Sequence, residues 1–237
     1  MRVEHNNYIG IRDINKNLDI TNTGILAALE DVACIHSEMA GFGITDIPKT
    51  DLTWILINWK VKVLKRPKYD ETIRVETWSS GVEKIYTYRD FNIYNEKNEK
   101  VAIATSRWLL LEASTGKIIR DYTGIIDNYH SEEERVFENE KFAKIIEPTT
   151  YKKKIDYTIT NSMIDINDHL HNIYYMDIAY SILPEGKEEF DNFEVTYKKE
   201  IKLGEKVKVL YEEIDGVSYV TLKSNDEKEL HSIIKLW

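Results

Sequence analysis

One order of elements occurs twice in this chain, and that repetition limits what it can fold into. DITNTGILAALEDVA, starting at Asp19, resembles DINDHLHNIYYMDIA, starting at Asp165. Each is a polar turn that runs into a helix and ends Asp-(Val/Ile)-Ala. Downstream, Trp59-Lys60-Val61-Lys62-Val63 has a counterpart in Tyr197-Lys198-Lys199-Glu200-Ile201, an offset of 138 residues. DETIRVETW and GEKVKVLYE continue the match, each a turn followed by an alternating strand. A helix followed by a run of antiparallel strands, given twice, predicts a duplicated α+β unit. Each copy, at roughly 100 to 140 residues, has the size of one small domain.

Local pattern supports this. Gly24 to Met39 carries apolar residues at helical spacing with no internal Pro or Gly, and Asn22 or Thr23 is placed to cap it. Trp54 to Leu64 alternates as a half-buried strand, and Thr72 to Ser79, Ile85 to Tyr94 and Val101 to Glu112 follow. Asp127 to Pro148 is charged and reads as a short helix plus linker. The second copy gives a strand at Tyr151 to Thr160 and a helix at Asn172 to Leu183. Strands follow at Asn192 to Leu203, Lys206 to Ile214, Ser218 to Ser224 and Glu229 to Trp237. The expected domains are 1–140 and 153–237, joined by a linker at 141–152.

Composition narrows the function. Of 237 residues 42% are hydrophobic and 31% charged, enough apolar mass for a core and too much for a disordered chain. The net charge of −9 repels a phosphate backbone, and only 8 of the 32 basic residues are Arg, which disfavours nucleic-acid binding. The single Cys34 allows no intrachain disulfide and no cysteine-based zinc site. MRVEHNNYIGIRD has no signal-peptide core, and no apolar run approaches the ~18 to 20 residues of a membrane span. The expectation is a soluble cytoplasmic protein that begins at Met1.

The two copies differ where chemistry is possible. The turn before the second helix reads Asp165-Ile166-Asn167-Asp168-His169-Leu170-His171-Asn172. Its match in the first copy, Asn17-Leu18-Asp19-Ile20-Thr21-Asn22-Thr23-Gly24, has no histidine, and Glu200 falls opposite Lys62. One copy alone carries the Asp, Asn, His and Glu, which predicts one active site. Polar residues just ahead of a helix lie beside unpaired N–H groups able to hold an oxyanion. A histidine there can activate water, and the carboxylates can act as base, orienter or nucleophile. Taken singly, each has a plainer role: Asp and Asn cap helices, and Glu200 alternates with Lys198 and Lys202 on a face open to solvent. The other histidines and Cys34 carry no partner pattern, and His169 with His171 is too little for a metal site.

Asp165-x-Asn167-x-His169-x-x-Asn172-x-x-Tyr175, with Tyr197-Lys198-Lys199-Glu200 downstream, resembles the acyl-acyl carrier protein (acyl-ACP) thioesterases of plants and bacteria. Leu18-Asp19-Ile20, Trp54 to Leu64, PKYDETIRVETW and ATSRWLLL are similar to that family's N-terminal segment, so the resemblance spans roughly residues 5 to 237. It implies a double (tandem) hotdog fold, two long helices each wrapped by a curved antiparallel sheet. It implies hydrolysis of fatty acyl-ACP to free fatty acid and ACP, with no metal and no other cofactor. The family's catalytic set falls on Asp165, Asn167, His169 and Glu200. Many plant members have a Cys after the Glu; here it is Ile201, which excludes a cysteine acyl-enzyme at this place. General-base hydrolysis by Glu200 or His169 is favoured, and an acyl-Asp165 anhydride stays open. The acyl chain is expected in the N-terminal half, among Trp54, Leu56, Trp59, Trp108, Leu26 and Leu29, with Asn172 and Tyr175 also touching substrate. Lys60, Lys62, Lys65, Arg66 and Lys68 are the candidate dock for the acidic ACP, and Lys198, Lys199 and Lys202 form a second cluster. An acyl-CoA thioesterase and a non-catalytic acyl-binding protein are the alternatives. A chain that holds two such units needs no partner to close a site, so monomer and homodimer both remain open.

Overall fold

The computed structural model describes residues 1–137, 142–187 and 189–237. The chain divides into two compact units, Met1–Lys141 and Phe142–Trp237.

In unit 1, α1 (Asn22–Ala40) runs for 19 residues. Ile25, Ala28, Leu29, Val32, Ala33, His36 and Ala40 fall on one stripe and are buried, the spacing expected of a helix that covers a sheet. Each fully buried Ile or Leu contributes about 1.5–3 kcal/mol. Thr21, not Asn22 or Thr23, caps the start: its hydroxyl accepts from Gly24 N–H at 3.0 Å. Asn22 lies one residue inside and is wholly buried, engaged instead by Arg66. The helix ends at Gly41, whose φ of 81° favours a residue without a Cβ, while Phe42 N–H reaches back to Ser37 O at 3.0 Å. A short α2 (Ile47–Thr50) follows.

The strands of unit 1 are β1 (Arg2–Tyr8), β2 (Leu52–Val63), β3 (Thr72–Glu83), β4 (Tyr86–Tyr94) and β5 (Lys100–Glu112). They pair antiparallel in the order β1-β3-β4-β5-β2. Helix α1 lies against β1 and β3. Within unit 1 a 3-10 turn, Ile126–Tyr129, stands at the start of the charged stretch where a short helix was expected. Residues 131–137 of that charged stretch form no helix or strand, and 138–141 lie outside the described residues.

Unit 2 repeats this order. Strands β6 (Lys153–Thr158), β7 (Asn192–Tyr197), β8 (Lys206–Ile214), β9 (Val217–Ser224) and β10 (Leu230–Leu236) pair antiparallel as β6-β8-β9-β10-β7. Its helix, α3 (Tyr174–Tyr180), has 7 residues, against the expected Asn172 to Leu183. No side chain caps its start, and Ser181 Oγ takes the Ile178 carbonyl at its end. Pro184 then disfavours helical backbone at Leu183. Strand β7 also stops short, at Tyr197 and not Leu203. Lys198 and Lys199 both turn their N–H groups to the His231 carbonyl, at 2.8 and 3.4 Å, and leave the ladder.

Candidate active site

The pre-helix turn of unit 2 is built by Asp165. Its Oδ1 accepts the N–H of Asn167 at 2.8 Å and of His169 at 3.2 Å. Asp165 N–H donates to His169 O at 2.8 Å, and Asp168 takes the left-handed conformation, φ 60°, that closes the loop. An Asx-type turn of this kind is a local preference of Asp and Asn. Two contacts then tie the turn to the segment after β7. Leu170 N–H donates to Ile201 O at 2.7 Å, and His169 forms a β-bridge with Lys202. Residues far apart in sequence, Asp165, Asn167 and His169 on one side and Glu200 on the other, thereby stand on two adjoining turns. Asp165 and His169 are half-buried, and Asn167 and Glu200 are exposed. Glu200 lies beyond the end of β7 and is open to solvent as its plainer reading expected, though not through strand alternation.

Behind these turns sit the aromatics of the motif. Tyr175, on α3, is 3% exposed and meets the Tyr197 ring edge-on at 5.1 Å and 85°. Tyr197 OH donates to the Asn172 carbonyl at 3.0 Å, which joins the end of β7 to the residues just before α3. Burial first, then the Glu200 and Asp165 carboxylates, push the Tyr175 hydroxyl above its ordinary range. Tyr175 is therefore neutral and stands in a negatively charged neighbourhood.

Unit 1 contains the same turn in a different register from the sequence match. Asn15 Oδ1 accepts from Asn17 and Asp19 N–H at 2.8 and 3.1 Å, and Asn15 N–H donates to Asp19 O at 2.9 Å. Leu18, φ 64°, takes the place of Asp168, and Asp19 bridges to Lys68 as His169 does to Lys202. Asp165 thus corresponds to Asn15, Asn167 to Asn17 and His169 to Asp19. After β2, Leu64 and Lys65 turn their N–H groups to Val101 O as Lys198 and Lys199 do to His231 O. Glu200 therefore corresponds to Arg66, not Lys62. Residue identity misled here because alternating Lys and Val match equally well at several offsets; the hydrogen bonds admit one. Arg66 donates to Ile20 O at 2.9 Å and Asn22 Oδ1 at 3.0 Å, so a cation stands where unit 2 has a carboxylate.

The candidates for the acyl chain divide by exposure. Leu26, Leu29, Leu56 and Trp59 are core residues, each at most 3% exposed, and Trp59 packs on Phe91 at 5.2 Å. Trp54 and Trp108 are half-buried. Trp54 stacks on Tyr122 at 6.3 Å and donates to Tyr129 OH at 2.9 Å, while Trp108 meets Trp59 edge-on at 6.5 Å. Unit 1 also holds a buried cation that sequence reading missed. Arg89 donates to His36 Nδ1 at 2.6 Å, which leaves the neutral His36 ring with its proton on Nε2. Burial, then the Arg89 charge, hold His36 down to about 3. Burial brings Arg89 down to about 10, so it stays charged at neutral pH.

The candidate docking lysines are scattered among partners. Lys65 pairs with Glu99 at 3.1 Å, Lys68 with Asp19 at 2.6 Å, and Lys60 lies over the Phe137 ring at 4.8 Å. Lys62 is exposed on β2, and Arg66 is engaged inside the unit as described. Among the described residues no three His, Cys, Asp or Glu side chains are grouped to hold a metal ion, and no helix is long and apolar enough to cross a membrane.

Comparison with known proteins gives this geometry a family. The acyl-ACP thioesterase N-terminal domain matches residues 3–129, and the acyl-ACP thioesterase C-terminal domain matches residues 146–236. Oleoyl-acyl carrier protein thioesterase 1 of Arabidopsis thaliana is 23% identical over 190 residues, which take in 73% of this chain and 52% of that protein. A palmitoyl-acyl carrier protein thioesterase of Gossypium hirsutum is 28% identical over 160 residues, 62% of this chain and 39% of that protein. The chain spans about half the length of such relatives. In three dimensions it superposes on an acyl-ACP thioesterase from Bacteroides thetaiotaomicron with a TM-score of 0.87 at 22% identity, covering 99% of this chain and 96% of the other. The 12:0-ACP thioesterase from Umbellularia californica gives 0.84 at 16% identity, with the same coverages. Structural likeness at these identities carries the fold, a tandem pair of hotdog units, and the two domain matches carry the relationship. This chain belongs to the acyl-ACP thioesterase family.

Proposed function

We propose that the chain hydrolyses the thioester of fatty acyl-ACP, releasing free fatty acid and ACP. The observation that carries this reading is the stitching of the Asp165–His169 turn to the Glu200 segment by the Leu170–Ile201 hydrogen bond and the His169–Lys202 bridge. A carboxylate, an imidazole and an amide on adjoining turns suit attack of water on a thioester. Glu200 or His169 takes the proton from water as the O–C bond forms. The tetrahedral intermediate then collapses with loss of the thiolate, which takes up a proton. Asn167 holds water or the substrate carbonyl. Asp165 shapes the turn through the two N–H bonds that its Oδ1 accepts, and its negative charge, which Asn15 lacks, orients the reacting groups, with an acyl-Asp165 anhydride as the alternative.

On this reading unit 2 supplies the chemistry and unit 1 the walls for the acyl chain. Trp54 and Trp108, with surface still open, contact the chain, and Leu26, Leu29, Leu56 and Trp59 shape the space from behind. Lys60, Lys62, Lys65 and Lys68 attract the acidic ACP. The ion pairs of Lys65 and Lys68 lie at the surface, where water screens them, and are weak enough to be exchanged for a partner's carboxylates. A cytoplasmic setting fits a single Cys34 and a net charge of −9.

The deciding experiment measures fatty acid release from a panel of acyl-ACPs and acyl-CoAs, beside Glu200→Ala. Release that is fastest from acyl-ACP and lost in the variant is expected. Faster release from acyl-CoA moves the substrate to the CoA thioester. Binding of acyl ligands with no release from either reduces the protein to an acyl-binding module.

A further inference from the structure

The two units share a β-bulge next to the segment that carries Glu200 or Arg66. In β10 the register with β9 slips between Leu230 and Ser232, which leaves His231 as the extra residue. In β5 the register with β4 slips between Lys100 and Ala102, which leaves Val101. Both bulged residues offer their carbonyls to two successive N–H groups after the neighbouring strand. Val101 O accepts from Leu64 and Lys65 at 2.8 and 3.1 Å, and His231 O from Lys198 and Lys199 at 2.8 and 3.4 Å. The fold thus uses the bulge and its carbonyl in the same way twice.

The side chains differ. His231 is 3% exposed, and its Nδ1–H donates to the Lys199 carbonyl at 3.2 Å. Valine has no side-chain donor, so Lys65 O receives nothing from the Val101 side chain. One buried residue in unit 2 therefore holds both N–H groups of Lys198 and Lys199 and the carbonyl that leads directly into Glu200. A bulge re-aims side chains beside functional sites, and a reacting group misplaced by about 1 Å can lose about 10²-fold in rate.

We propose that His231 is a positioning residue: through the Lys199 carbonyl it fixes the backbone bend that presents the Glu200 carboxylate to the Asp165–His169 turn. This rests on the reading of Glu200 as a reacting group. It also explains why the imidazole stands in the unit with Glu200, and valine in the unit with Arg66.

The test compares His231→Val, His231→Asn, His231→Gln and Glu200→Gln in steady-state hydrolysis of the acyl-ACP that the unaltered protein turns over fastest. Valine is the residue unit 1 carries at this bulge, so His231→Val is expected to fold. Its kcat falls by about 10- to 100-fold with KM within about twofold. The Asn amide reaches the place of Nδ1 and restores most of kcat. The Gln amide lies one atom further out and does not, although it fills the same space. Full kcat in His231→Val overturns the proposal. So does equal behaviour of Asn and Gln, which shows a role in packing alone and holds even if His231→Val is unstable. If Glu200→Gln is inactive while the His231 variants are unimpaired, only the positioning role fails. An active Glu200→Gln defeats the reading of Glu200 itself.

Discussion

Units 1 and 2 use one backbone plan with different charges. Asn15 and Asp165 accept the same pair of N–H groups at nearly the same distances. The turn therefore needs a side-chain oxygen and not a negative charge. Across from it, unit 1 closes on itself, with Arg66 bonded to Ile20 and Asn22 and Lys68 to Asp19. Unit 2 has His169 and an exposed Glu200 at these positions. What the fold requires is present in both units. What only unit 2 has at these places, namely the carboxylate of Asp165, the imidazoles of His169 and His231 and the carboxylate of Glu200, is not required by the shared backbone plan.

The comparison is broken most severely by writing unit 1 into unit 2. Glu200→Arg should abolish hydrolysis, by about 10³-fold or more, while the melting curve stays near that of the unaltered protein. The matching backbone in unit 1 already accommodates arginine. A folded variant with normal turnover shows that the two units do not differ in chemistry at this position.

Asp165→Asn and Asp165→Ala separate charge from turn. The Asn variant keeps the turn and should change stability by less than about 0.5 kcal/mol, while turnover drops about 10²-fold. The Ala variant loses the two N–H bonds as well, at a cost of about 1 kcal/mol. Urea unfolding and initial rates on both variants check this, and an active Asp165→Asn reduces Asp165 to a cap.

Acid should distinguish the units in the opposite sense. His36 ionises near 6.5 when unfolded and near 3 when folded, so between those values the unfolded chain binds the extra proton. Stability is complete above about pH 6.5 and is lost as pH falls toward 3, by at most about 1.4 kcal/mol per pH unit. Unfolding curves from pH 7 to pH 4 should show unit 1 loosening first, with a flatter slope in His36→Gln. An unchanged slope assigns the acid sensitivity elsewhere.

The smallest effect concerns docking. Lys60→Ser with Lys62→Ser should raise KM for acyl-ACP about threefold, as for the loss of about 0.6 kcal/mol of surface charge attraction. The effect should shrink in high salt and leave kcat unchanged. A salt-independent KM places the dock elsewhere, with Lys198, Lys199 and Lys202 as the next cluster to remove.

The duplication, the place of both helices and the strands that follow each were legible from the amino-acid order, and comparing the copies put four residues forward as a candidate set. They rest on local rules: periodic burial for α1, alternation for β2 and β8, and an Asx turn at Asp165 that its own neighbours complete. The register between the copies was not legible. Runs such as KVKV match themselves at several shifts, and only inter-strand hydrogen bonds choose among them. That choice moved the partner of Glu200 from Lys62 to Arg66 and that of Asp165 from Asn17 to Asn15. Setting KVAIA beside LHSII would have placed His231 over Val101, but the bulge that both residues form is invisible without the sheet. The buried Arg89–His36 pair was hidden for the same reason: the residues are 53 apart in the chain and meet only because α1 folds over the strands. Sequence by itself determines preferences that each residue satisfies with near neighbours. Which distant groups are brought within 3 Å, and hence which charges must be paired, neutralised or left to react, is decided by strand pairing and packing, because those energies exist only once the whole unit has closed.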